Sequence, residues 1–150
     1  MKKKKSTREL FLDTLAKLGC PYELSNEDND LLYFRYQGEC FMVRSNDEEP
    51  YIVIYDYEWE GVALDDIDEV VRLRKAINEA NWKGCVSTFF SIDEETKTMD
   101  VHSKSVAYFT TDIPNPERYL CLELNEFFNA HQYFRAEMAK LRAIEGAESK

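Results

Sequence analysis

Leu120, Leu124, Phe127, His131, Phe134, Met138 and Leu141 recur at alternating intervals of four and three residues, the spacing that stacks side chains along one side of an α-helix. Asn115-Pro116 precedes the run, giving a capping side chain and then the one helical position at which a missing N–H does no harm. The chain must therefore fold around a terminal helix of about 30 residues, roughly 45 Å long at 1.5 Å per residue. Its apolar seam has to be covered by the same chain or offered to a partner. His131 interrupts that seam, a place that suits a neutral, hydrogen-bonded imidazole or, alternatively, a pH-sensitive contact.

The remaining elements follow from shorter patterns. Leu10, Phe11, Leu15 and Leu18 predict a helix over Thr7 to Leu18, stopped by Gly19 and Pro21. Three segments of strand character come next, Leu31 to Tyr36, Glu39 to Arg44 and Pro50 to Trp59, with Gln37-Gly38 forming a tight hairpin. Asp65 is the expected N-cap of a second helix running to about Asn81, with Ile67, Val70, Val71 and Ile77 on its buried face and acidic residues at its start. Gly84 ends it, and a second hairpin joins Cys85 to Ile92 with Thr98 to Thr110. The expectation is an α+β fold, an antiparallel sheet of about five strands with three helices, in the order α-β-β-β-α-β-β-α.

At 150 residues, with nine Tyr, nine Phe and two Trp spread between charged positions, one domain over 1–150 is expected. Residues 1–6 read as a disordered basic tail and 143–150 as a frayed end. A net charge of -10 repels phosphate backbones and anionic lipid, so neither nucleic acid nor a membrane surface is expected as a partner. Lys2 to Lys5 begins like a signal peptide, but Ser6, Thr7, Arg8 and Glu9 stand where an apolar core would have to follow. A soluble, cytoplasmic protein is the expectation, with Cys20, Cys40, Cys85 and Cys121 reduced and mostly buried.

Residues able to carry chemistry do not assemble into a motif. The four Cys and two His include no closely spaced ligand pair of the kind a structural zinc site uses. Asn26, Asp28 and Asp30 alternate like the start of a calcium loop, but the turn position is Leu31 and the last ligand position is Gln37. Asp56, Glu58 and Glu60 would share one face of a strand whose other face, Tyr51, Val53, Tyr55, Tyr57 and Trp59, reads as the core stripe. Cys85 with His102, and Cys121 with His131, lack oxyanion donors and an orienting third residue. With five glycines and no phosphate-cradling sequence, nucleotide chemistry is disfavoured. No cofactor or metal is expected.

One feature is left over: the early sheet is apolar on both faces. Ile52 and Ile54 oppose the tyrosine stripe, and Leu32, Phe34 and Tyr36 alternate with Leu31 and Tyr33. An antiparallel sheet packed on one side alone should be polar on the other. Either the helices wrap both faces or a partner covers one. Ile52 and Ile54 on the sheet, with Phe127, His131, Phe134 and Met138 on the terminal helix, are the expected contact residues for a protein partner or a second copy in a homodimer. The competing reading is a small-ligand protein or enzyme with a pocket around Tyr55, Asp56, Tyr57, Glu58 and Trp59.

The succession of the amphipathic helix at Leu10-Phe11-Leu15-Leu18, the strand run Tyr51-Ile52-Val53-Ile54-Tyr55, the capped helix from Asp65 and the hairpin from Cys85 to Thr110 resembles the YbjN-like proteins and the class I type III secretion chaperones whose fold they share. That resemblance implies a small acidic protein that binds a partner chain without catalysis and often dimerises. Secretion chaperones hold extended segments against apolar patches, and regulatory roles are suggested for YbjN-like proteins. No active-site residues carry over. The long seamed terminal helix departs from the family pattern and leaves the dimer geometry open.

Overall fold

The computed structural model describes residues 4–148. Its elements are α1 (Thr7–Leu18), β1 (Tyr22–Leu24), β2 (Leu31–Tyr36), β3 (Glu39–Arg44), β4 (Tyr51–Ala63), α2 (Ile67–Lys83), β5 (Ser87–Asp93), β6 (Thr98–Tyr108) and α3 (Pro116–Glu148). The six strands form one antiparallel sheet in the order β1-β2-β3-β4-β6-β5. The α+β class and the helix count are as expected. The sixth strand is β1, three exposed residues too short to carry a period of their own, held because Tyr22, Glu23 and Leu24 register against Phe34, Tyr33 and Leu32. No helix among the described residues is long and apolar enough to cross a membrane.

Local chemistry sets the boundaries. Ser6 caps α1 by accepting the Glu9 N–H, and Gly19, at φ 70°, closes the helix in the left-handed conformation that a side chain disfavours. Of the expected basic tail, residues 1–3 lie outside the described residues, Lys5 pairs with Asp13, and Ser6 already belongs to the helix start. Asn115 accepts the Arg118 N–H at 3.1 Å ahead of Pro116. Asp66, one residue past the expected cap, receives the Glu69 N–H and starts α2. α3 stays helical to Glu148, beyond the start of the expected frayed end, of which residues 149 and 150 lie outside the described residues.

Two compact units divide the chain, Met1–Asp56 with Lys104–Leu124 and Tyr57–Ser103 with Asn125–Lys150. In the first, Phe11 of α1 packs edge-on against Phe34 and Phe109, and Phe34 stacks on Phe41 at 5.3 Å. Leu32, Val43, Ile52, Ile54, Leu120 and Leu124 fill the same core. Such offset and edge-to-face ring pairs add to area burial by about 0.5 to 1.5 kcal/mol each.

In the second unit, Leu73, Ala76, Ile77 and Ala80 of α2 pack with Met99 and Val101 of β6 and with Phe134 and Met138 of α3. The buried face of α2 is therefore rotated from the expected one: Ile67 and Val71 are exposed. Two alanines let the helix approach closely, whereas a reading weighted to bulky residues favours the positions that point to water. Trp59 joins this core from β4, its ring 5.2 Å from Phe134 and its N–H donating to Ser103 Oγ at 3.1 Å.

Candidate functional site

Every expected contact residue is interior. Ile52, Ile54 and Phe127 are 0% exposed, Phe134 1%, Met138 3% and His131 5%. They form core, not an accessible surface, because purely aliphatic or aromatic side chains on α3 and β4 bury more apolar area than the tyrosines beside them and leave no hydroxyl to satisfy. His131 lies against the rings of Trp59, at 4.2 Å, and Phe128.

The accessible side of β4 in the first unit is the tyrosine stripe. Its expected assignment is reversed: Ile52, Ile54 and Asp56 are buried, while Tyr51, Val53 and Tyr55 are only partly covered. Register extends this face across the strands, since directly paired residues of an antiparallel sheet point to one side. Tyr33 pairs with Met42, and Met42 with Tyr55; Leu31 pairs with Arg44, and Arg44 with Val53; Arg35 pairs with Cys40. Lys104 of β6 stands 6.0 Å from the Tyr55 ring. Val106 and Tyr108 follow Lys104 at two-residue intervals, so they point the same way. Their exposures of 58% and 70%, with 40% at Tyr33, mark an uncovered apolar and aromatic surface. The rings of Phe11 lie instead against the Phe34 side, opposite this face.

The rim of this face forms a groove of about 510 Å³ lined by Pro21, Tyr22, Glu23, Tyr33, Phe34, Arg35 and Cys40. Arg35, Arg44 and Lys104 put three cations on the face of a chain whose overall charge is -10. The expected two-faced strand is present with its sides reversed, and Val106 and Tyr108 extend the accessible side beyond the expected residues. Their signal was present in the alternation Lys104-Ser105-Val106-Ala107-Tyr108, with a small residue opposite each large one.

Of the residues expected around a small-ligand pocket, Tyr55 and Asp56 lie in the first unit and Tyr57, Glu58 and Trp59 in the second. Tyr55 lies under Lys104, and Asp56 is buried. Tyr57 is half exposed, edge-on to His102 at 5.3 Å. Glu58 takes a left-handed φ of 54° and turns its N–H to His102 Nδ1 at 2.9 Å, which breaks the alternation expected of Asp56, Glu58 and Glu60. Glu60 is paired with Arg135 at 3.3 Å.

His102 also touches Ser91, with Nε2 2.6 Å from Oγ, a distance that invites a Ser-His reading. The backbone donor at Glu58 decides against it. With Nδ1 accepting an N–H, the neutral ring carries its hydrogen on Nε2 and donates to Ser91, whereas activation of a serine needs Nε2 as acceptor. Both ring nitrogens of His102 are thus engaged, by the Glu58 backbone and by Ser91. The Cys121 thiol bonds with the Tyr36 hydroxyl, which burial first and that contact second push above its ordinary value. Burial raises the Cys20 thiol as well, which lowers its thiolate reactivity. None of the four cysteines is in a disulfide, and Cys40 and Cys85 are exposed, contrary to the expected burial.

The Asn26-Asp28-Asp30 segment folds as a turn. Ser25 Oγ accepts the N–H groups of Glu27 and Asp28, Asp28 accepts the Asp30 N–H at 2.9 Å, and Arg44 pairs with Asp28.

No known family model matches the chain. No curated protein matches its sequence either. Among solved structures, the chain is similar to the crystal structure of YbjN from E. coli, a proposed transcription regulator, at 11% identity over 90% of each chain with a TM-score of 0.46.

Proposed function

We propose that this chain is a non-enzymatic protein-binding module that also self-associates, and that the open face of β2, β3, β4 and β6 in its first unit receives the partner. The observation that carries the reading is the contiguous row Tyr33, Met42 and Tyr55, continued by Val106 and Tyr108, in which Tyr33, Val106 and Tyr108 are exposed and Met42 and Tyr55 partly covered. Tyrosine suits such a surface because its ring gives large contact area at low entropic cost while its hydroxyl tolerates water before binding. Arg35 and Lys104, beside an Arg44 already paired with Asp28 and a Glu23 in register with Tyr33, favour a partner segment that is apolar and carries both carboxylates and a basic group.

Photo-crosslinking tests the surface. A benzophenone amino acid placed at Tyr33 or Tyr108 is expected to capture a discrete protein in cells, and the same residue at Leu122, exposed on α3, is not. The Tyr33→Ala/Tyr108→Ala double variant should stay folded and fail to compete. Equal capture at Leu122, or none at the two tyrosines, removes the face as a binding site.

A further inference from the structure

Among the described residues β5 ends the sheet, with β6 as its sole neighbour in the strand order. Natural edge strands are normally blunted by charge, proline or a bulge. The residues Ser87-Thr88-Phe89-Phe90-Ser91-Ile92 contain neither charge nor proline, and Phe90 and Ile92 are 40% and 51% exposed.

One rung of this edge is closed. Asn81 of α2 accepts the Thr88 N–H at 2.9 Å and donates to the Thr88 carbonyl at 3.0 Å, taking the place of a neighbouring strand. The N–H and C=O of one strand residue point to the same edge, and alternate residues share it. Since those of Thr88 meet Asn81 and not β6, those of Phe90 and Ile92 point outward. Among the described residues, no backbone hydrogen bond outside the strand ladders reaches either of them.

We infer that the Phe90–Ile92 edge pairs antiparallel with the same edge of a second copy, about a two-fold axis through Ser91. This rests on the self-association proposed above and assigns its site. With the rung at Thr88 closed, the register that uses both open rungs sets Phe90 against Ile92 of the second copy and Ile92 against its Phe90. That arrangement is self-complementary, as an isologous interface must be. It gathers four apolar side chains on one face. It also sets Asp93, the last residue of the strand, opposite Phe89, so no two like charges face each other within the paired strands. An unrelated peptide would need none of this symmetry.

In this register the two copies of Ser91 form a non-hydrogen-bonded pair with Cα atoms about 4.5 Å apart, within disulfide reach. The two copies of Ser87 lie about 26 Å apart at 3.3 Å per residue. In a Cys40→Ser/Cys85→Ser background, Ser91→Cys is expected to form a disulfide-linked dimer under mild oxidation, and Ser87→Cys is not. Ile92→Pro removes an outward N–H together with one of the apolar side chains at the axis, and is expected to weaken the dimer about tenfold or more, by light scattering against twice 17.7 kDa, with an unchanged fold. In the unsubstituted protein, exchange of the Phe90 and Ile92 amides should slow as concentration rises. A monomer at every concentration overturns both the self-association and this pairing. A dimer that ignores Ile92→Pro, or in which those two amides gain no protection, overturns the pairing and leaves self-association standing.

Discussion

Glu69 of α2 accepts two hydrogen bonds from the Arg142 guanidinium of α3, at 2.8 and 2.9 Å, and a third contact from Arg72, which also reaches Glu145. The paired geometry holds the Glu69 carboxyl below its ordinary value of 4.5, with the Arg142 hydrogen bond the main cause and burial opposing it. A carboxylate held low in the folded state adds stability that is fully present above the unfolded value and is lost as pH falls through the folded one. Arg142→Ala is therefore expected to lower unfolding stability at pH 7 by about 0.5 to 1 kcal/mol, since the bidentate pair is favourable but Arg142 is half exposed to screening water. Urea titrations of both proteins should converge at acid pH, below about 4.5. A constant difference down to pH 3 would show that lost packing, not the ion pair, explains the variant.

Among the elements, the β2–β3 hairpin is the most locally determined. Gln37 and Gly38 both have positive φ, 49° and 84°, the pairing a two-residue turn needs to match the twist of its strands. A Cβ at Gly38 would meet nothing within 4 Å, so its replacement tests backbone conformation alone. Gly38→Ala should cost about 1 kcal/mol in thermal or urea unfolding without altering the binding face. A larger loss accompanied by altered strand signals would mean the turn sets the β2–β3 register, which the full row of pairs from Leu31–Arg44 to Tyr36–Glu39 otherwise fixes. α2 shows the opposite dependence: its cap is local, but which stripe it buries is decided by the alanines that fit against Met99 and Phe134.

For the whole molecule, charge acts against self-association while the proposed pairing of the β5 edge acts for it. Two copies at -10 each repel, and salt shortens the range of that repulsion to about 10 Å at 0.1 M. The dimer is therefore expected to tighten as sodium chloride rises from about 0.05 to 0.5 M, a direction typical of apolar and backbone contacts between like-charged bodies. Sedimentation velocity at several salt concentrations reads this directly. A dimer that loosens with salt would point to an interface built on ion pairs, which the Phe90–Ile92 edge does not contain.

The amino-acid pattern alone determined the helices over Thr7–Leu18 and from Pro116, the strands Leu31–Tyr36 and Glu39–Arg44, and the turn at Gln37-Gly38. Each depends on capping, turn chemistry and short-range periodicity, which act within a few residues and survive without tertiary context. The pattern also marked β4 as apolar on two faces. It left open which of those faces is covered, because alternation gives two equivalent sides and only the packing partner separates them. Tertiary structure decided that the seam of α3 and the residues Ile52 and Ile54 are core, and that Tyr33, Tyr55 and Tyr108 face outward. It also decided that Asn81 closes one rung of β5 and leaves the next two open, a consequence of where α2 ends beside a strand that begins four residues later.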